Sequence, residues 1–126
     1  MANDDHVSWL RRGVDAWNAW RQEHPGADPD LRAAGLRALD LSGADLSGAN
    51  LRDADLRGTI LRGARLARAR LQGANLFKTV LDDADLEDAV LTGVRFLDCA
   101  QLVVTRNWQS ARRDPALGCG APIPGE

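Results

Sequence analysis

The sequence predicts a solenoid, and two observations carry that prediction. Leucine recurs every five residues, at 31, 36, 41, 46, 51, 56, 61, 66, 71, 76, 81, 86 and 91, and Phe96 takes the next place. Two residues before most of these stands a small side chain: Ala34, Ala44, Ala49, Ala54, Ala64, Ala69, Ala74, Ala84 and Ala89. The other three places of each unit are mostly polar, charged or Gly. A period of five fits neither a helix at 3.6 nor a strand at 2. On a helix these leucines would march around every side and leave no polar face. A fixed repeat of this kind instead stacks coil on coil, each burying its apolar positions against its neighbours.

The units Ala44-Asp45-Leu46, Ala49-Asn50-Leu51, Ala54-Asp55-Leu56, Ala74-Asn75-Leu76 and Ala84-Asp85-Leu86 resemble the motif of the pentapeptide-repeat family. That motif is a small residue, Asp or Asn, Leu, and two variable residues. The resemblance covers 14 units, 70 of 126 residues. It implies an all-β solenoid, a right-handed quadrilateral β-helix with one pentapeptide per side and 20 residues per coil. The Leu and the small residue then point inward and the other three toward solvent. Fourteen units make about 3.5 coils, a column roughly 17 Å tall at ~4.8 Å per coil. Leu46, Leu66 and Leu86 form one inward stack, and Leu61 and Leu81 belong to another.

Unusual residues test the coil length independently. The small place is not Ala at Leu39, Thr59 and Thr79, which lie 20 apart, and the next place reads Asp40, Ile60 and Val80. The side carrying Thr59-Ile60-Leu61 and Thr79-Val80-Leu81 is β-branched and is expected to be the most strand-like of the four.

The ends are expected to differ from the middle. Residues 3–23 read as one amphipathic helix with Asn3, Asp4 and Asp5 as N-cap candidates. Val7, Leu10, Val14 and Trp17 form one stripe, and Trp9, Gly13, Ala16 and Trp20 a second. The first coil has no coil beneath it, so the helix, with Trp9, Trp17 and Trp20, is expected to cap its open edge. Pro25, Gly26 and Pro29 end the helix. After Phe96 the register slips by one, with Gln101 where Leu is due. Cys99 is either the extra residue of a bulge or the small inward residue. Asn107–Arg113 read as a short helix with Asn107 as N-cap. The tail from Pro115, rich in Pro and Gly, is expected to be disordered. The expected organisation is a capping helix and linker at 1–28, the β-helix at 29–103, a C-terminal capping helix at 104–114 and the tail at 115–126.

Net charge is −2, and residues 31–98 hold ten basic and ten acidic side chains. Stacking at 20 residues sets Arg62 under Asp82, Arg65 between Asp45 and Asp85, and Arg68 under Asp88. These read as cross-coil pairs worth roughly 0.2–1 kcal/mol each that fix register. Such pairing cancels the field that direct nucleic-acid binding or DNA mimicry needs. No run of apolar residues is long enough to span a membrane, and no basic-then-apolar leader is present. The two cysteines form no zinc pattern and no disulfide framework, so Cys99 reads as a buried thiol, Cys119 as an exposed one, and the compartment as the reducing cytoplasm.

No catalytic set is legible. His6 and His24, near opposite ends of the N-terminal helix, cannot share a metal, and no phosphate loop or nucleophile triad is present. Glycines at 43, 48, 58, 63 and 73 recur with the repeat and are corner residues. The expected function is a non-enzymatic scaffold without cofactor, offering a rigid surface to another protein or to a second copy as a homodimer. The resemblance also implies an alternative, a DNA mimic that binds gyrase or another type II topoisomerase and confers drug resistance. The candidate surface is the outward strip Ile60 and Val80, with Phe77 and Leu97 as a second strip that the terminal helix could cover.

Overall fold

The computed structural model describes residues 2–125. Parallel bridges join residues twenty apart: Asp30–Asn50–Arg70–Val90 on one side, then Gly35–Asp55–Asn75–Arg95, Asp40–Ile60–Val80 and Asp45–Arg65–Asp85 on the others. Four bridged positions, five residues apart, complete each turn of a β-helix solenoid. Every unit places one residue in the ladder and two in a turn. In that turn the small residue's N–H returns to the preceding Leu carbonyl, as in Ala44 to Leu41 at 3.0 Å. Among the described residues the pairing is therefore confined to isolated bridges. The Ile60–Val80 side is no exception, contrary to the expectation that it would be the most strand-like.

The second turn residue is left-handed in every unit from Ala33 to Gly93. Gly43, Gly48, Gly58, Gly63, Gly73 and Gly93 take this conformation freely, whereas Arg68 and Lys78 adopt it at φ of 60° and 58° and each bears a strain of roughly 1–2 kcal/mol. At Gly73 space also matters, because a Cβ there would collide with the Asp53 carboxylate.

The leucines from Leu31 to Leu91 and the alanines beside them form one continuous core. Thr59 and Thr79, in the small place, are buried. Their hydroxyls donate to the Leu36 and Leu56 carbonyls at 2.6 and 2.7 Å, which satisfies them inside an apolar column.

The Asp or Asn before each Leu has a local task that the sequence reading assigned to solvent and to pairing between coils. Its side-chain oxygen accepts the backbone N–H two residues on, at Asp40, Asp45, Asn50, Asp55, Asn75 and Asp85 among others. This Asx bond rigidifies the turn entry. The expected ion pairs of the charge ladder are not formed among the described residues. Arg65 is bridged through its backbone to Asp45 and Asp85, but among the described residues the ion pairs are Arg32–Asp30 at 2.9 Å and Arg57–Asp55 at 2.7 Å, each within one unit. The Asp45 carboxylate is held by the Ser47 N–H, and that of Asp85 by the Glu87 N–H and Asn107 Nδ2.

The N-terminal end is closed by two helices, not one. Helix α1, Asp4–Arg11, is capped by Asn3, whose Oδ1 accepts from the Asp5 and His6 N–H groups. Gly13, at φ 111°, breaks the expected single helix, and α2 runs Val14–Glu23. The break lets both helices lie on the same coil. Leu10, Trp17 and Trp20 are buried against it, and Trp9 is partly buried. Side chains then meet the first coil's open edge. Trp17 Nε1 donates to the Asp45 carbonyl at 2.8 Å, Arg21 to the Asp45 and Ser47 carbonyls, and Arg11 to that of Gly35. Asn18 Oδ1 accepts the Asp45 N–H at 2.8 Å and His6 Nδ1 that of Asp30 at 2.9 Å. These are edge groups that would otherwise pair with another chain.

The C-terminal end departs furthest from expectation. Phe96 turns left-handed at φ 61° and is 64% exposed, so it does not fill the leucine place assigned to it. Leu97 packs against the core instead. Helix α3, Cys99–Leu102, continues the Ile60–Val80 side, with Asp98 and Gln101 forming a capping box. The Gln101 amide donates to the Leu76 and Thr79 carbonyls at 3.0 and 3.2 Å, in place of a further ladder rung. Bridges then resume as Asp85–Arg106 and Val90–Arg112, so the offset grows beyond the single slip expected and pairing continues past residue 103. Because Arg106 and Arg112 are both held extended, only one 3₁₀ turn, Trp108–Ser110, fits between them. Asn107 is left-handed and makes no side-chain cap bond, so the expected helix over 107–113 is not formed.

The tail is not the disordered segment expected. A 3₁₀ turn at Pro115–Leu117 buries Leu117. Arg113, 2% exposed, donates to the carbonyls of Gln109, Ala111, Leu117, Gly118 and Pro122 and stands 5.0 Å from the Trp108 ring. Burial pushes its pKa down, while the convergent carbonyl oxygens solvate the charge. Cys99 and Cys119, read as separate thiols, form a disulfide with Cα atoms 5.6 Å apart. The pairing also removes the ground on which a reducing compartment was expected. Glu126, the last residue of the expected tail, and Met1 lie outside the described residues.

Candidate interaction surface

Leu46, Leu66, Leu86, Leu61 and Leu81 are buried in the column, and Trp17 and Trp20 are buried in the cap. Trp17 and Trp20 stack at 5.2 Å, and His24 and His6 lie at 4.9 and 5.0 Å from the Trp20 ring. The guanidinium of Arg12 sits 4.2 Å from the Trp9 ring. These contacts hold the cap together, with Trp17 and Trp20 buried within it. Among the described residues no cluster of His, Cys, Asp and Glu is placed to hold a metal ion. No helix among them is long and apolar enough to cross a membrane.

Outward residues stack with the coils. On the side named above, Ile60 and Val80 are bridged to each other and half-buried. The coil above them is α3. The corner before this side carries Arg37, Arg57 and Phe77 in successive coils, and the corner after it Ser42, Arg62 and Asp82. Phe77 is 47% exposed and meets Phe96 edge-on, ring centroids 5.7 Å apart. Val103 and Val104, 48% and 44% exposed, lie beyond α3, where the Asp83 N–H bonds the Val104 carbonyl. The partner of Phe77 is thus Phe96, not Leu97, and the terminal segment leaves both rings open. The local clue was the bulky Val94 in the small inward place ahead of Phe96. With adjacent large apolar residues, the chain seats Leu97 and turns Phe96 out.

Two carboxylates, Asp55 beside this corner and Asp30 on the preceding side, are held strongly by their own units. The bidentate Arg57 guanidinium, with bonds of 2.8 and 2.7 Å, holds the Asp55 pKa down at about 2. Arg32 does the same to Asp30, again to about 2. Arg57 is therefore committed locally, whereas Arg37 and Lys78 make no ion pair among the described residues.

A family model for pentapeptide repeats matches residues 30–68, 40–76 and 69–100, more than half of the chain. No curated protein matches. Among solved structures, Rfr23, a pentapeptide repeat protein from the cyanobacterium Cyanothece 51142, is 33% identical over 71% of this chain and 64% of its own, with a TM-score of 0.37. HetL, a pentapeptide repeat protein involved in heterocyst differentiation regulation from Nostoc sp. strain PCC 7120, is 29% identical over 64% of this chain and 48% of its own, with a TM-score of 0.27. A third, from Nostoc PCC 7120, is 27% identical over 67% of this chain and 79% of its own, with a TM-score of 0.23. The chain thus spans less than two thirds of the length of the first two. With its five-residue period, its twenty-residue bridges and the family match over residues 30–100, this chain belongs to the pentapeptide-repeat family.

Proposed function

We propose that the protein is a non-enzymatic scaffold, a right-handed quadrilateral β-helix of about 3.5 regular coils with an irregular continuation, that presents a rigid surface to another protein. Parallel strands joined by crossovers favour the right hand, and the twenty-residue bridges support the coil length. The observation that carries the interaction role is the exposed Phe77–Phe96 pair, 5.7 Å between rings, on a column whose surface is otherwise mostly polar or small. Large apolar side chains left together in water mark contact sites. The half-buried Ile60–Val80 strip lies beside this pair and extends the same surface. The topoisomerase-binding alternative needs a continuous anionic face, whereas the stack Asp45–Arg65–Asp85–Arg106 alternates in sign.

Two double variants test the reading: Phe77→Gln/Phe96→Asn, and Ile60→Asn/Val80→Asp. All four positions face outward, so folding is expected to persist. Partner recovery from the source cell and oligomeric state by light scattering are the measurements. The proposal expects the first variant to lose its partner or its self-association. Retention of both properties in both variants refutes it.

A further inference from the structure

The same corner carries charge as well as aromatic surface. A groove of about 400 Å³ is lined by Arg37, Ala38, Arg57, Gly58, Phe77 and Lys78. Three of these are cations, and Asp55 is the carboxylate paired with one of them, Arg57. Lys78 Nζ stands 5.4 Å from the Phe77 ring, so cation and aromatic face the same space. Asp98, close in sequence to Phe96, is committed to the α3 N-terminus, where it accepts the Gln101 N–H at 2.9 Å. The groove is therefore locally cationic on a chain whose net charge is −2.

We infer that this groove binds an acidic peptide segment of a partner protein, one that places an apolar side chain on Phe77 and Phe96 and carboxylates on Arg37 and Lys78. The inference rests on the scaffold reading and specifies the partner's chemistry. Charge complementarity selects the sign. Arg37 and Lys78 make no ion pair among the described residues. Arg37 acts on Asp55 only at longer range and as the least of its influences, and an incoming carboxylate gains from both cations. The aromatic geometry selects a peptide over a single-stranded nucleic acid. A nucleic-acid strand needs open ring faces on which successive bases stack. Here the two rings meet at 73°, edge to face, and Lys78 stands over one face of Phe77. A side chain can wedge against such a pair, but a stack of bases cannot run along it.

The test is selection of a phage-displayed random dodecapeptide library on the intact protein, followed by fluorescence anisotropy with the enriched peptide. The expected enrichment is Asp or Glu within a few positions of Leu, Ile, Phe or Met. Affinity is expected to fall roughly tenfold or more in Arg37→Gln/Lys78→Asn and in Phe77→Gln/Phe96→Asn, and to hold in Arg62→Gln on the next corner. Added salt is expected to weaken binding to the unsubstituted protein more than to Arg37→Gln/Lys78→Asn. Failure to enrich any sequence, or enrichment without acidic residues, overturns the inference. So does tighter binding of labelled oligothymidylate through the same residues. If the phenylalanine variant loses binding while the charge variant keeps it, the acidic chemistry falls and the scaffold surface stands. If neither variant loses binding, the groove is not the site.

Discussion

Replacing Trp17 separates the two ways in which the N-terminal helices close the column. Its side chain is fully buried, and its Nε1 donates to the Asp45 carbonyl at 2.8 Å. Trp17→Phe keeps most of the ring and removes the donor. The Asp45 carbonyl retains the Arg21 guanidinium at 3.1 Å, so it is not orphaned, and the loss is expected at the lower end of the usual hydrogen-bond range, about 0.5–1.5 kcal/mol. Trp17→Ala removes the packing as well and leaves a cavity between α2 and the first coil. Buried Trp truncations cost about 3–5 kcal/mol, which for a small domain is a large share of the whole stability. Equilibrium urea unfolding of both variants, with m-values compared to confirm a common transition, measures the two numbers. If Trp17→Ala costs less than about 1 kcal/mol, the helices are an appendage and not a cap. If Trp17→Phe costs as much as Trp17→Ala, the edge hydrogen bond and not the packing holds them.

Leu66, buried within the leucine core, is expected to cost about 2–5 kcal/mol as Leu66→Ala, and Leu66→Arg is expected not to fold; a soluble, cooperatively melting Leu66→Arg protein contradicts the inward register. The Cys99–Cys119 bridge spans 20 residues, so Cys99→Ser/Cys119→Ser is expected to lose about 3 kcal/mol by the chain-entropy account; hydrogen exchange at Leu117 and Gly118 reads it, and unchanged protection there shows that Arg113 alone holds the tail. In acid, Asp30 and Asp55 titrate lower folded, at about 2, than unfolded, near 3.8. Their contribution is complete above the unfolded value and is lost as pH falls toward the folded one. Because the pairs are largely exposed, the change is expected to stay near 0.2–1 kcal/mol each. Asp55→Asn keeps the turn oxygen and loses the charge, so it should flatten the urea midpoint's decline between about pH 5 and pH 2.5; an undiminished decline assigns the acid sensitivity elsewhere.

Much of the column was legible because its signals repeat. Each inward leucine obeys the same burial requirement, and the coincidence of Leu39, Thr59 and Thr79 reports coil length without reference to contacts. Local turn chemistry was also present in the string, since Asp-Leu-x and Asn-Leu-x place an acceptor two residues before an N–H. The Asx bonds were missed because the cross-coil charge pattern competed for the same carboxylates. Proximity across coils is only one claim on a carboxylate, and the backbone N–H two residues away is a nearer one. Of the candidate surface, Phe77, Ile60 and Val80 were readable as outward positions. Phe96 was not, because periodicity alone placed it inward.

The sequence by itself determined the repeat, the inward leucines, the twenty-residue stacking and the need for something to cover the first coil. Tertiary structure decided how each end is finished. Gly13 splits the cap so that two short helices reach different edge groups. Gln101 holds α3 to the column, and the Cys99–Cys119 bridge and the buried Arg113 tie down a tail whose composition reads as disordered. The cap contacts and the bridge join groups distant in sequence, and the Arg113 set gathers carbonyls from its own neighbourhood; each is made once, so no periodic average reveals it. A repeat makes the middle of a solenoid predictable from any one of its units, whereas an end is a single event that depends on which nearby groups reach the last open backbone first.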